Sequence, residues 1–185
     1  MIGGHSIEGY AIVSADGMIA DGAGAMPDSI RNEADQRFLQ TGMDHAAAIV
    51  HGRRSHEGGP RAAGRKRLIV TRQVADVVAD PSQPNALLWN PAGATIEQAI
   101  GALQVGPGPF AVIGGTEVFD LFLPLYDVFH LTRAARARIP GGQPLFSALD
   151  PHTTPEEILI HHGLQPSPPR DIDAAAGISL TRFQR

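Results

Sequence analysis

The residues best suited to chemistry in this chain lie in Phe110-Ala111-Val112-Ile113-Gly114-Gly115-Thr116-Glu117-Val118-Phe119. Four apolar residues, two of them β-branched, suit a strand buried on both faces. Two glycines follow, and then Val118, Phe119, Phe122 and Leu123 fall on one helix face. A glycine pair lets a ligand approach the backbone, because no Cβ intervenes. The first amides of the helix have no intrahelical acceptor and favour an anion. The arrangement reads as a cradle for a diphosphate, with a plain strand-to-helix turn as the alternative. Neither a Walker sequence nor a GxGxxG after the first strand is present.

The elements that must position this unit alternate. Gly9–Ser14 reads as a buried first strand, Ala15-Asp16-Gly17 as a turn, and Met18-Ile19-Ala20 as a short return. Asp21–Pro27 is a glycine-rich loop long enough to move over a site. A helix is predicted over about Ile30–Thr41, capped by Asp28 or Ser29, with Ile30, Ala34, Phe38 and Leu39 inward. Ala46–Val50 is a second strand, and His51-Gly52-Arg53-Arg54-Ser55 again looks like a strand meeting a helix start, broken by Gly58-Gly59-Pro60. Strands are also expected at Arg67–Thr71, Ala86–Trp89 and Asp127–Thr132. A helix is expected over Thr95–Leu103, where Thr95 and Gln98 have capping-box spacing. This order predicts a mainly parallel sheet. Glu157–His162 and Ile178–Phe183 read as two further strands, paired as an antiparallel hairpin at a sheet edge, with Gly163–Gly177 as the loop between them.

Composition narrows the function classes. The 185 residues suit one domain, 1–185, with its own core. Apolar residues make up 43% and charged ones 18%, and the net charge of −4 leaves no basic footprint for nucleic acid. No apolar run reaches the roughly 18 residues that a membrane span needs. The start of the sequence shows no basic segment followed by an apolar one, so no signal peptide is read and a cytoplasmic location is expected. Cysteine is absent, which excludes disulfides and thiol catalysis. Of eight histidines, neither His161/His162 nor His51/His56 has metal-ligand spacing on a helix, so no metal site is expected; His51 and His56 are candidates for the cofactor pocket instead.

Four pieces together resemble the dihydrofolate reductase superfamily, which includes the pyrimidine reductase domains of riboflavin biosynthesis. They are Ser14-Ala15-Asp16-Gly17-Met18-Ile19-Ala20, the segment from Asp44 through Gly52-Arg53-Arg54-Ser55, Arg65-Lys66-Arg67-Leu68-Ile69-Val70-Thr71-Arg72, and Val112–Phe119 followed by Leu123–Asp127 and Leu131-Thr132. The resemblance covers about residues 8–135 plus the C-terminal hairpin. It implies an α/β, three-layer dihydrofolate reductase-like fold, mainly parallel with an antiparallel C-terminal edge hairpin. It implies an NADPH-dependent oxidoreductase that moves a hydride to a nitrogen heterocycle, either dihydrofolate or a related pterin. Riboflavin-pathway ribosylaminopyrimidine reduction, and nucleotide binding without turnover, are the alternatives. A homodimer is plausible from family habit.

The resemblance also assigns residues. Gly114, Gly115 and Thr116 would hold the diphosphate, with Ile113 and Glu117 beside them also on the cofactor. Gly52, Arg53, Arg54 and Ser55 would run along the diphosphate and adenosine ribose, and Thr71 and Arg72 would flank the adenine. Ile19 and Ala20 would line the nicotinamide pocket. The three arginines Arg53, Arg54 and Arg72 would favour NADPH over NADH, since guanidinium matches a phosphate in shape and charge. The catalytic carboxylate at the helix start would be Glu33 or Asp35, depending on which end of the segment is counted from. Thr132 matches a threonine that supports that carboxylate, and Tyr10, Asp28, Phe38 and Arg65 complete the substrate side. Arg65 sits near where dihydrofolate reductases bind the folate tail. Asp28 replaces the tryptophan that usually follows Met-Pro in those enzymes. The Ser14-x-Asp16-Gly17 turn and Asp44-x-Ala46 look more like the pyrimidine reductases.

Overall fold

The computed structural model describes residues 1–55 and 61–185. In chain order its elements are β1 (Ile7–Ser14), β2 (Met18–Ala20), α1 (Glu33–His45), β3 (Ala48–Gly52), β4 (Arg67–Val70), β5 (Val77–Ala79), β6 (Ala86–Trp89), α2 (Ile96–Leu103), β7 (Phe110–Val112), α3 (Thr116–Phe122), β8 (Val128–Ala134), β9 (Gln143–Pro144), α4 (Pro155–His161), β10 (Gln165–Pro166), β11 (Arg170–Asp173) and β12 (Ile178–Gln184). The main sheet runs β10-β12-β8-β1-β7-β3-β4-β6-β5, with β11 also on β12. Every pairing from β8 across to β6 is parallel. The two edges are antiparallel, β12 against β8 and β5 against β6.

The inner strands carry apolar residues on both faces because both faces are covered. On one face α2 and α3 bring Ala99, Ile100, Leu103, Val118, Phe119 and Phe122 against Val13, Val50, Leu68, Phe110 and Val112. On the other face α1 packs Met43 over Tyr10, Ile49 and Ala111, with Phe38 and Leu39 at the border. These are the three expected layers. Gly42 sets how near α1 can come: a Cβ there would sit 2.7 Å from the Tyr10 ring.

Several boundaries differ from expectation. Helix α1 starts three residues later than predicted, and its cap is neither Asp28 nor Ser29. Asn32 caps it, its side-chain oxygen accepting from the amides of Ala34 and Asp35. Ile30 is buried in a short 3-10 turn, Asp28–Ile30, ahead of the helix. Glu157–His162 is not a strand. Residues Glu157 to His161 belong to α4, with His162 as its C-cap, and the helix is started by a reciprocal capping box between Thr154 and Glu157, with Pro155 in the first turn. Ile158 and Leu159 are buried and Ile160 is exposed, as neighbouring positions on a helix can be and alternating strand positions are not. The C-terminal hairpin exists, but its first strand is β11, inside the stretch assigned to a loop. The short edge strand β5 was not anticipated.

The Asp21–Pro27 loop is tied to itself rather than loose. The Asp21 carboxylate accepts from the amides of Ala23 and Ala25, both at 2.9 Å, and the Asp21 amide donates to the Ala25 carbonyl at 2.8 Å. The helix break expected at Gly58-Gly59-Pro60 lies outside the described residues. No helix among the described residues is long and apolar enough to cross a membrane.

Thr154→Ala removes the α4 cap and is expected to cost about 1 kcal/mol in urea denaturation. An unchanged midpoint would mean that the reciprocal cap does not hold this helix.

Candidate active site

A long open cleft of about 1950 Å³ lies outside the carboxyl ends of the parallel strands, where open α/β sheets bind ligands. The turns after β3, β4, β6 and β7 supply one half: Gly52–Ser55, Thr71–Gln73, Asn90–Ala92 and Gly115–Glu117. The other half crosses β1 and β8 beneath α1, where Tyr10, Ile12, Asp35, Phe38, His130 and Thr132 line it. Ile19 and Ala20 on β2, with Pro144 on β9, close the side between the halves.

In the first half the two glycines have different tasks. Gly114 has φ +112°, and a Cβ there would lie 2.8 Å from the Phe119 ring. Its carbonyl accepts from the Gly52 amide at 2.8 Å, which couples the turns after β3 and β7. The bond joining Gly114 to Gly115 is cis. Gly114 therefore shapes the turn and does not itself line the cleft, whereas Gly115 does. A Cβ on Gly115 would meet nothing nearer than the Ser55 Oγ at 3.9 Å, so this is the position where backbone lies open to a ligand. The Gly115 carbonyl accepts from the amides of Val118 and Phe119, both at 2.9 Å, which fixes the start of α3. Ile113 lines the cleft beside it.

The side chains around this turn are partly committed. The Thr116 hydroxyl donates to the Pro144 carbonyl and so pins β9 to α3. Arg72 pairs with Glu117 at 3.2 Å, both side chains more than four-fifths exposed, an arrangement of small energetic worth. Arg53 and Arg54 are exposed on the cleft wall. Thr71 is buried, and its hydroxyl accepts from the Gln73 amide at 3.2 Å.

In the second half the two candidate carboxylates separate. Asp35 is 8% exposed and lines the cleft, as does Thr132, itself 1% exposed. Burial pushes the Asp35 carboxyl above its ordinary range, and the neighbouring Thr132 side chain offsets part of that rise. Glu33 is on the solvent side of α1, its side chain 89% exposed and paired with Arg37 at 3.4 Å; it does not line the cleft. Of the two, Asp35 is the one that the Asn32 cap and the start of α1 at Glu33 turn towards the cleft.

Three other expected residues sit elsewhere. Asp28 is exposed and paired with Arg31 at 2.9 Å, outside the cleft lining. Arg65 is folded onto Asp44 and onto Gln40, and it too lies outside the lining. His51 is buried, with Nδ1 against the Gly52 carbonyl at 2.8 Å, and does not line the cleft. His56 lies outside the described residues. His161 and His162 have ring centres 5.8 Å apart, and no group of three possible metal ligands occurs among the described residues.

The structure adds Glu8 and His130 to the site's surroundings. The Tyr10 hydroxyl donates to Glu8 at 2.8 Å, His130 stacks on Tyr10 with ring centres 4.6 Å apart, and His130 Nε2 lies 3.5 Å from Glu8. The hydrogen bond with His130 leads the causes that hold the Glu8 carboxyl below its ordinary range. Glu8 and Tyr10 are two apart on one strand face, which is visible in the sequence; their partner His130 depends on a strand pairing that is not.

No family model matches the sequence, and the curated proteins give no match. Solved structures do. A dihydrofolate reductase from Enterococcus faecalis complexed with NADP(H) and RAB-propyl superposes with a TM-score of 0.63 at 15% identity, over 97% of this chain and 96% of that one. A pyrimidine reductase-like protein from Corynebacterium diphtheriae gives a TM-score of 0.64 at 17% identity, over 97% of this chain and 91% of that one. The diaminohydroxyphosphoribosylaminopyrimidine deaminase/5-amino-6-(5-phosphoribosylamino)uracil reductase of Thermotoga maritima gives 0.66 at 16% identity, over 97% of this chain but only 56% of that one.

Because the folded-state pKa of Asp35 is raised, its contribution to stability is greatest below the unfolded value, about pH 4. It falls as pH rises towards the folded value and stays reduced above it. Asp35→Asn is therefore expected to melt at a higher temperature than the parent at pH 7, with the gain gone at about pH 3. A variant that melts lower at pH 7 would contradict a buried carboxyl that resists ionisation. Across these comparisons the chain takes the dihydrofolate reductase-like fold, shared with the pyrimidine reductases.

Proposed function

We propose that this chain is an NADPH-dependent reductase that adds a hydride to a nitrogen heterocycle, with dihydrofolate or a related pterin as the substrate class. One observation carries the reading: a buried carboxyl, Asp35, held by Thr132, on the floor of a cleft whose other half is lined by exposed backbone at Gly115. At about 1950 Å³ the cleft has room for a dinucleotide and a heterocycle together. The gap in front of Gly115, which a Cβ would enter, suits a diphosphate.

When bound, the nicotinamide ring supplies the hydride. The chain does the rest. Gly115 and the turn Gly52–Ser55 receive the diphosphate between them. Arg53 and Arg54, on the wall of the adenosine half, favour a 2′-phosphate by charge and shape. Arg72 is less available, since Glu117 already faces it. Ile19 and Ala20 exclude water from the place where the two rings meet. Asp35, its pKa raised by burial, presents its carboxyl to the nitrogen-rich edge of the heterocycle. As the C=N carbon accepts hydride, its nitrogen takes a proton, from Asp35 directly or through a water it orients, leaving a CH–NH unit.

A second reading rests on Arg65. With that side chain folded onto Asp44 and Gln40, the arginine expected to bind a folate tail is not presented to the cleft. This favours a ribosylaminopyrimidine over a folate with its glutamate.

Titration with NADPH and NADH, followed by absorbance loss at the nicotinamide band with dihydrofolate or a ribosylaminopyrimidine added, tests the reading. NADPH-selective binding with turnover is expected, and no binding of either nucleotide would overturn it. Asp35→Asn is expected to lower kcat by about 10²–10⁴-fold while nucleotide affinity stays near the parent's. Gly115→Val, whose side chain would enter the open gap, is expected to fold and to lose NADPH binding; unchanged affinity would remove the diphosphate assignment.

A further inference from the structure

Beyond the cleft, a second, smaller pocket of about 290 Å³ lies against the C-terminal hairpin, and Phe38 and His130 line both spaces. Its other walls are Ser167, Pro168, Arg170, Leu180 and Arg182. The strand register explains why these residues meet. Tyr10, His130 and Arg182 are successive partners across β1, β8 and β12. Ile12, Thr132, Leu180 and Arg170 are successive partners across β1, β8, β12 and β11. Directly opposed residues project from the same sheet face. Two rows of side chains therefore run from the floor beneath Asp35 to the hairpin. Arg170 lies two strands from Thr132, a span of about 10 Å.

The electrostatics of this pocket are one-sided. Arg170 and Arg182 make no ion pair among the described residues. Arg170 places its guanidinium 5.8 Å from the centre of the Phe38 ring. Ser167 is held between strands, its hydroxyl oxygen accepting from the Arg182 amide at 3.3 Å. Glu8, the carboxylate that contacts His130, is already engaged by Tyr10 as well. The Nδ1 atom of His130 is buried and has no hydrogen-bond partner among the described residues. Two guanidinium groups with no ion pair among the described residues, set around Phe38, Leu180 and the His130 ring, make a receptor for an anionic group on an aromatic or sugar-bearing molecule, while the Ser167 hydroxyl donates to the Pro168 carbonyl at 3.4 Å and only frames it.

Resting on the reductase reading above, we infer that this hairpin pocket binds the anionic substituent, phosphate or carboxylate, of the heterocyclic substrate, with Arg170 and Arg182 as its ligands. It would do the work that Arg65 is not placed to do. The distance from Thr132 suits a ribose phosphate, or a glutamate carboxylate carried on an aminobenzoyl group, that passes Phe38. The pocket would then decide which heterocycles are accepted, while Asp35 would act on the ring common to them.

Phenyl phosphate is the probe, in two experiments on the full chain. In the first, the ring nitrogens of His130 are followed by ¹⁵N NMR during a phenyl phosphate titration of the parent and of Arg170→Ala/Arg182→Ala. A saturable His130 shift in the parent, weakened about tenfold or more in the double variant and restored by Arg170→Lys/Arg182→Lys, is expected. No shift, or one that the alanine variant leaves intact, overturns the proposal. In the second, steady-state turnover compares an anion-bearing heterocycle with its tail-less counterpart. The alanine variant is expected to raise KM for the first relative to the second by about tenfold, and phenyl phosphate is expected to compete with the anion-bearing substrate. An equal effect on both substrates, or inhibition that is not competitive, rejects the substrate-tail assignment. If no heterocycle is reduced at all, the reductase reading fails by itself, and the anion site stands or falls on the His130 titration.

Discussion

A carboxyl group kept from water on the face of a sheet resists ionisation, and its surroundings must compensate for its lost hydration. Asp35 is in that position, and much of the local architecture serves to keep it there. Asn32 caps α1 so that Asp35 falls in its first turn. Gly42, further along the same helix, lets α1 settle against the Tyr10 ring. Thr132, from the strand beside β1, lies against it and offsets part of the effect of burial on its carboxyl. A residue so placed costs stability near neutral pH, and such a cost is typical of groups retained for chemistry rather than for folding.

Specific bonds hold the walls of the cleft. The Gly52 amide and the Gly114 carbonyl bring two strand ends together, and the Thr116 hydroxyl holds β9, with its partner β2, against α3. Through that last contact Ile19 and Ala20 of β2 are kept in the lining that also holds Gly115 and Asp35. The loop after β2 is fixed by Asp21, so this side of the cleft is built by local hydrogen bonds and not by a free flap.

Much of this was legible in the sequence, and the reasons differ by residue. The strand before Gly114 announced itself by four apolar residues in a row, because a strand covered on both faces needs nothing else. Thr95 and Gln98 announced α2 by capping chemistry, which is local. The same chemistry at Thr154 and Glu157 marks α4, and it outweighs the strand expected at Glu157–His162. Asp35 and Glu33 could not be separated, since only the turn ahead of the helix decides which one faces the sheet. Arg65 looked like a site residue because its neighbours in sequence did; its partners Asp44 and Gln40 are more than twenty residues away. The hairpin arginines carried no signal at all, since Arg170 and Arg182 reach His130 and Phe38 only through strand registers that involve four separate segments.

The central claim is that hydride passes, within this cleft, from a nicotinamide to a heterocycle beside Asp35. The most direct measurement is isotopic. The protein is incubated with NADPH carrying deuterium on the transferable face of its nicotinamide C4, together with dihydrofolate or a ribosylaminopyrimidine, and the reduced product is analysed by mass spectrometry. Deuterium bound to carbon in the product, in step with NADPH oxidation, is the predicted result. Nicotinamide that stays reduced, or product formed without the label, would contradict the account.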